Sequence, residues 1–258
     1  MSATGRKTLD RVLSRAGLFS RMQAQAAITA GRVQVNGHVV RDPGTWIDPV
    51  RDKVLCDGAS LRAKKKEVWM LHKPAGCVTT ARDERDRTTV YSLLPKDLPW
   101  LAPVGRLDQD TSGLLLFTND SDLANAITAP GSGLAKTYEV RCAGALADEA
   151  LGRLRAGVVL DDGRTQPARV ERVAFHDTST TLRLSITEGK NRQVRRMVEA
   201  IGSHVLALHR THIGPLELGD LPSGELRVLT ADELQALRTA ISAGRDRPRP
   251  RTSRGRAR

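Results

Sequence analysis

The chain has 258 residues, enough for one large domain or two unequal ones. Lysine and arginine outnumber aspartate and glutamate by 41 to 29, a net charge of +12, and aromatic residues make up only 3%. This balance favours a polyanionic partner and disfavours RNA modules that stack bases on surface aromatics, and no long apolar segment reads as a signal peptide or membrane span.

The charge is uneven. Residues 1–66 carry +8, residues 244–258 carry +6, and the middle, 67–243, carries −2. Basic appendages on a near-neutral body suit nucleic acid, since no amphipathic basic helix with bulky apolar residues points to a membrane. Cys56, Cys77 and Cys142 are widely spaced and form no CxxC pair. They read as buried reduced thiols of a cytoplasmic protein, with no metal site and no disulfide framework.

In chain order, Leu9, Val12 and Leu13 recur at helical spacing, and Gly17 is a stop. Ser20 can cap a second helix through Ala24, Ala27 and Ile28, closed by Gly31. Val33 to Val35, Asn36-Gly37 and His38 to Val40 spell a hairpin. A strand from Lys53 to Cys56 follows, with a turn at Asp57-Gly58. Arg11, Arg15, Arg21 and Arg32 cluster around the two helices. Each alone reads as solvated surface; as a set they suit phosphate contact.

Residues 62–66 form a charged linker and the expected domain boundary. Beyond it, Val68 to Leu71 reads as a strand, His72 to Gly76 as a turn, Cys77 to Thr80 as a short strand, and Val90 to Leu94 as a brief helix. Asp120 or Ser121 can cap a helix through Leu123, Ala124 and Ile127, closed by Pro130. Lys136 to Val140 alternates as a strand, with Lys136, Tyr138 and Val140 on one face. By spacing alone Tyr138 is a core aromatic.

Residues 147–156 are expected helical, and strands are expected at 158–160, 168–175 and 181–187. Residues 188–197 open a helix with the apolar stripe Val194, Met197, Val198 and Ile201, and with Arg192, Arg195, Arg196 and Glu199 on the opposite face. A strand at 204–212, a hairpin at 215–229 and a final helix capped by Thr230 complete the body. From Gly244 onward arginine and proline dominate, so 244–258 is expected to be a disordered basic tail.

The stretch from Gly105 to Leu116 stands apart. An apolar approach ends in a polar turn with Asp108 and Asp110, and the run Leu114 to Phe117 then reads as a buried strand. Asp108, Asp110, Ser112 and Gly113 match the start of a calcium loop, but position 12 is Asn119 rather than glutamate. Spacing alone leaves a bland turn and a catalytic aspartate both open. Two nearby carboxylates also raise a glycoside hydrolase, although alternate residues of one turn seldom bracket a sugar ring.

The residues Gly105, Arg106, Leu107, Asp108, Asp110, Thr111, Ser112 and Gly113, with Thr118, Asn119 and Asp120, resemble the signature of RsuA-type ribosomal RNA pseudouridine synthases. The resemblance implies an α+β catalytic domain at 67–243, with a mixed, mainly antiparallel sheet and flanking helices. It makes Asp108 the catalytic residue. Tyr138, in a Lys-x-Tyr motif, would stack on the target uracil. Arg195, in Gln-x-Arg, would pair with Asp108, hold it charged and fix its direction.

Arg106, Lys136, Arg192 and Arg196 become expected RNA contacts. Lys190 stands where that family more often has arginine. Residues 7–62 resemble the S4 RNA-binding module, carried by Leu9 to Leu13, Ser20-Arg21 and Gly31 to Gly37. The partner implied is ribosomal RNA or a ribosomal subunit precursor, in the large-subunit branch, for a monomer that uses no cofactor. A small-subunit substrate and a noncatalytic S4-type RNA-binding protein are the alternatives.

Overall fold

A computed structural model of the chain describes residues 5–17, 19–60, 65–81, 83–95, 97–176 and 178–245. Most of the expected linker and nearly all of the basic tail therefore lie outside the described residues.

The N-terminal unit begins with β1 (Lys7–Thr8), α1 (Leu9–Arg15) and α2 (Arg21–Thr29). It continues through β2 (Val33–Val35), β3 (His38–Val40), β4 (Trp46–Ile47), β5 (Val54–Cys56) and β6 (Ala59–Ser60). Ser20 starts α2 with a reciprocal capping box to Gln23. Asn36 and Gly37 both take positive φ, which the two-residue turn between β2 and β3 demands. Leu9, Leu13, Ala24, Ile28 and Val33 form the small core.

Its buried anion is Asp10. Burial alone would push this carboxyl up, but donors from Thr8, Arg21, Gln25 and the Arg11 amide outweigh that and bring it down to about 2.

The catalytic-sized body contains β7 (Val68–Lys73), a 3₁₀ turn (Val90–Leu93), β8 (Ala102–Val104), β9 (Ser112–Thr118), α3 (Ser121–Thr128) and β10 (Lys136–Ala143). Then come α4 (Asp148–Ala156), β11 (Val159–Leu160), β12 (Gly163–Arg164), β13 (Arg169–His176) and β14 (Ser179–Ile186). The last elements are α5 (Gln193–Ala200), β15 (Val205–Ile213), β16 (Leu216–Glu217), β17 (Leu226–Val228) and α6 (Ala231–Arg245).

Among the described residues, nine of these strands form one sheet, ordered β13-β14-β10-β15-β9-β7-β17, with β16 on β15 and β8 on β9. Only the β15–β9 pairing is parallel. This is the mixed, mainly antiparallel α+β arrangement.

The apolar run of β9 follows from its central place. Leu115 and Phe117 point into one core with α4 and α5, and Leu114 and Leu116 into another with α3 and α6. Gly113 at the start of β9 has φ +108, and a Cβ there would lie 2.2 Å from the Arg210 carbonyl oxygen. Only glycine lets β9 and β15 approach this closely.

Several expectations shift. Cys77 to Thr80 forms only an isolated bridge, Val78 to Thr89. Residues 215–229 are not a hairpin: β16 returns to β15 while β17 crosses to β7. Helix α5 starts at Gln193, after a left-handed Arg192. Helix α6 runs past the expected boundary to Arg245, and a Cβ at Gly244 would lie 2.0 Å from the Ser132 carbonyl oxygen.

The two units touch. Arg15 pairs with Asp122 at 2.8 Å, and the Asn119 side chain bonds the Lys65 carbonyl and the Glu67 amide, both at 2.9 Å.

Asp10 generates a pH prediction. Its carboxyl is lower in the folded protein than in the unfolded chain, so the stability it adds is complete above about pH 4 and is lost as pH falls toward about 2, on the order of 2 kcal/mol. Asp10→Asn is expected to lower the unfolding free energy of the N-terminal unit at pH 7, with the gap to the parent closing near pH 2. Denaturant titrations at both pH values check this.

Candidate active site

The turn carrying Asp108 joins β8 to β9 and is tied from three sides. Thr79 Oγ1 donates to the Leu107 carbonyl at 2.8 Å. Gly76 N–H donates to the Gln109 carbonyl at 2.7 Å, and Gln109 Nε2 returns a bond to the Gly76 carbonyl at 3.2 Å. Lys73, at the end of β7, is fully buried. Its ammonium donates to the carbonyls of Thr111 at 2.8 Å, Pro74 at 3.0 Å and Gln109 at 3.4 Å. Burial pulls the Lys73 pKa below its ordinary value, against the raising influence of Cys77, Asp110 and Asp108. Within the turn, Thr111 N–H closes on the Asp108 carbonyl at 3.1 Å.

The N-terminus of α5 faces this turn. Arg192 has φ 44, a left-handed conformation uncommon for a side-chain-bearing residue. It spans both carboxylates, 3.6 Å from Asp108 and 3.6 Å from Asp110. Arg195 lies deeper, with only 9% of its side chain exposed. It meets Asp110 Oδ2 at 3.1 Å, the Asp110 carbonyl at 3.1 Å and Thr111 Oγ1 at 3.3 Å.

The expected partnership is therefore rearranged: Arg192, not Arg195, reaches Asp108, and Arg195 braces Asp110. Arg192 stands just ahead of α5 in a left-handed conformation, while Arg195 lies in its first turn and is buried rather than on a solvated basic face.

Turn and helix border a cleft of about 1000 Å³. Asp108, Lys136, Tyr138, Arg192, Arg195 and Arg210 all line it. Tyr138 is 9% exposed and belongs to both the cleft wall and the core. Exposed Arg106 also lines the cleft.

The remaining cations are placed elsewhere. Arg196 makes a two-pronged pair with Asp162, 3.0 Å on each arm, and Lys190 donates to the carbonyls of Asp162 and Gly163 at 3.0 and 2.9 Å. Both clamp the β11–β12 turn onto the start of α5, so Arg196 is not a free RNA contact in this structure. In the N-terminal unit Arg21 is held by Asp10, Arg32 by Asp57 and Arg15 by Asp122, while Arg11 is exposed.

Two further residues to which the sequence reading gave no site role matter here, Lys73 behind the Asp108 turn and Arg210 in the cleft wall. Lys73 continues the inward face of β7, yet a lysine ordinarily reads as surface. Arg210 lies in the polar stretch His209 to His212 of β15, and its spacing carries no site signal.

The geometry has known counterparts. The family model for RNA pseudouridylate synthase matches residues 67–200, and that for the S4 domain matches residues 7–49. The chain is 37% identical over 241 residues to ribosomal large subunit pseudouridine synthase B of Bacillus subtilis, covering 92% of this chain and 98% of that protein. It is 41% identical over 241 residues to an uncharacterized RNA pseudouridine synthase of Mycobacterium tuberculosis, covering 90% and 93%. A crystal structure of a pseudouridylate synthase superimposes with a TM-score of 0.64 at 33% identity, over 89% of this chain and 99% of that one.

Lys73→Met removes three hydrogen bonds and leaves their carbonyls buried. It is expected to cost about 2–4 kcal/mol in unfolding free energy, read by urea denaturation.

Proposed function

The chain belongs to the RNA pseudouridylate synthase family, and from that premise we propose that it converts one uridine of large-subunit ribosomal RNA to pseudouridine. The observation that carries this reading is that one cleft brings together Asp108, held on a braced turn, and Tyr138 on its wall. Conversion breaks the C1′–N1 bond, turns the uracil and rejoins it through C5. The protein must expose the base, supply charge at the sugar carbon and keep the free base from escaping.

In this reading Asp108 is the catalytic residue and acts at C1′. Arg192 fixes the direction of the Asp108 carboxylate across 3.6 Å. Arg195 acts as a positioning residue, through Asp110 and Thr111. Tyr138 stacks on the flipped uracil. Arg106, at the mouth, meets the RNA backbone.

The S4 unit at 7–62 grips ribosomal RNA through Arg11 and the exposed parts of Arg15, Arg21 and Arg32, and the basic tail adds salt-sensitive affinity. The catalytic unit is 67–243, with α6 reaching slightly beyond it. The protein works in the cytoplasm as a monomer. Its cysteines are free and buried, and no described helix is long and apolar enough to cross a membrane. The large-subunit choice rests on the likeness to the Bacillus subtilis enzyme.

Pseudouridine mapping of ribosomal RNA from cells lacking the protein tests the reading. One large-subunit site is expected to disappear, to return with the wild-type chain and to stay absent with Asp108→Ala. A lost site in the small subunit would move the substrate. No lost site, or rescue by both chains, would point to a binding protein.

A further inference from the structure

The cleft lining is strongly positive: Arg106, Lys136, Lys190, Arg192, Arg195 and Arg210 face it against the carboxylates of Asp108 and Glu188. Arg210 in β15 is registered directly against Tyr138 in β10 and against Gly113 in β9. It is 5% exposed. Its Nε donates to the Leu114 carbonyl at 2.8 Å, while its Nη2 is buried without a partner.

Lys136 stands two residues before Tyr138, on the same face of β10, and lines the same cleft. Burial first, and then the charge of Arg210, pull the Lys136 pKa down. Among the described residues no carboxylate pairs with either cation. Two like charges that repel each other, mostly out of water, are costly until something negative joins them.

Depth says what the anion is. The phosphates of a nucleotide lie outward of its base, and a base stacked on Tyr138 would be the deepest part of the substrate. A cationic pair at the level of Tyr138 therefore faces the base. Uracil is neutral in the substrate and becomes an anion only when the C1′–N1 bond breaks and its electron pair leaves with the base. That charge spreads over N1, O2 and O4, and the oxygens are good acceptors for guanidinium and ammonium donors.

We infer that Arg210 and Lys136 form a built-in site for the detached uracil anion, stabilising the leaving group rather than the bound substrate. Preorganised donors in a water-poor cleft are most effective where charge develops. They also keep the free base in place while it turns. When C5 bonds to C1′, C5 gives up its proton and N1 gains one, so the anion is consumed and nothing is oxidised or reduced. The inference rests on the proposed function and adds the leaving-group half of the reaction.

The test uses the full chain in single turnover on large-subunit ribosomal RNA transcribed with either uridine or 5-fluorouridine. Fluorine stabilises the uracil anion by itself. Consumption of the parent nucleoside is read after digestion, because a fluorine at C5 leaves no proton for the final step. Lys136→Met and Arg210→Gln are expected to lose about 100-fold in rate with uridine RNA and about tenfold with fluorouridine RNA.

RNA affinity should change less than about threefold, and Arg210→Lys should regain most of the rate. Lys136→Met should melt no lower than wild type, since it removes a repelling charge. Equal losses on both RNAs would overturn the inference, as would a fall in affinity that matches the fall in rate. Wild-type turnover with unaffected variants would overturn it alone. Wild type that leaves uridine unchanged would overturn the proposed function as well.

Discussion

A single buried ammonium holds the site's framework together. Lys73 has no exposed surface, and its three donors go to carbonyls rather than to a carboxylate. Two of those carbonyls belong to Gln109 and Thr111, on either side of Asp110. A buried cation tolerates burial only when its donors are met. The backbone of the turn is thus drawn to the end of β7, and the direction of Asp108 follows from that backbone. The bonds from Thr79 and Gly76 act on the same segment from the other side. The loop is irregular but not loose.

The sheet converts this local order into a cleft with two electrical sides. Gly113 allows β9 to run parallel and close to β15. That contact sets the Asp108 turn at one end of the strand that carries Arg210. On one side the carboxylates of Asp108 and Asp110 are met by Arg192 and Arg195. On the other, Lys136 and Arg210 have no counter-ion among the described residues. A substrate entering between them meets compensated ion pairs beside one part and uncompensated positive charge beside another. Such an arrangement is suited to a bond that breaks unevenly.

The N-terminal unit uses its arginines differently from a simple basic patch. Arg15, Arg21 and Arg32 each have an acidic partner, and Arg15 spends its contact on α3 of the larger unit. The Arg15–Asp122 and Arg32–Asp57 pairs are exposed, contribute little to stability and can be exchanged for phosphate at small cost, whereas the partner of Arg21 is the buried Asp10. They also preset where the guanidinium groups stand. Asn119, at the end of β9, joins the start of the larger unit to the same region through two bonds and packs against Gly17.

Sequence alone determined the elements whose signals are local. The capped helix after Ser20, the Asn36-Gly37 turn, the alternation that puts Tyr138 inward and the doubly buried run of β9 all follow from nearest-neighbour chemistry. The motif around Asp108 was legible for the same reason, as an unbroken stretch of chain. Tertiary structure alone decided the pairings. Arg192, left-handed just ahead of α5, meets Asp108, and Arg195 within the helix meets Asp110, a division that only the folded arrangement of helix and turn decides. The burial of Lys73 and Arg210 depends on strands far apart in sequence closing over them. Charge pairing is set by distance in space, and a chain of residue names carries no such distance until the sheet has been assembled.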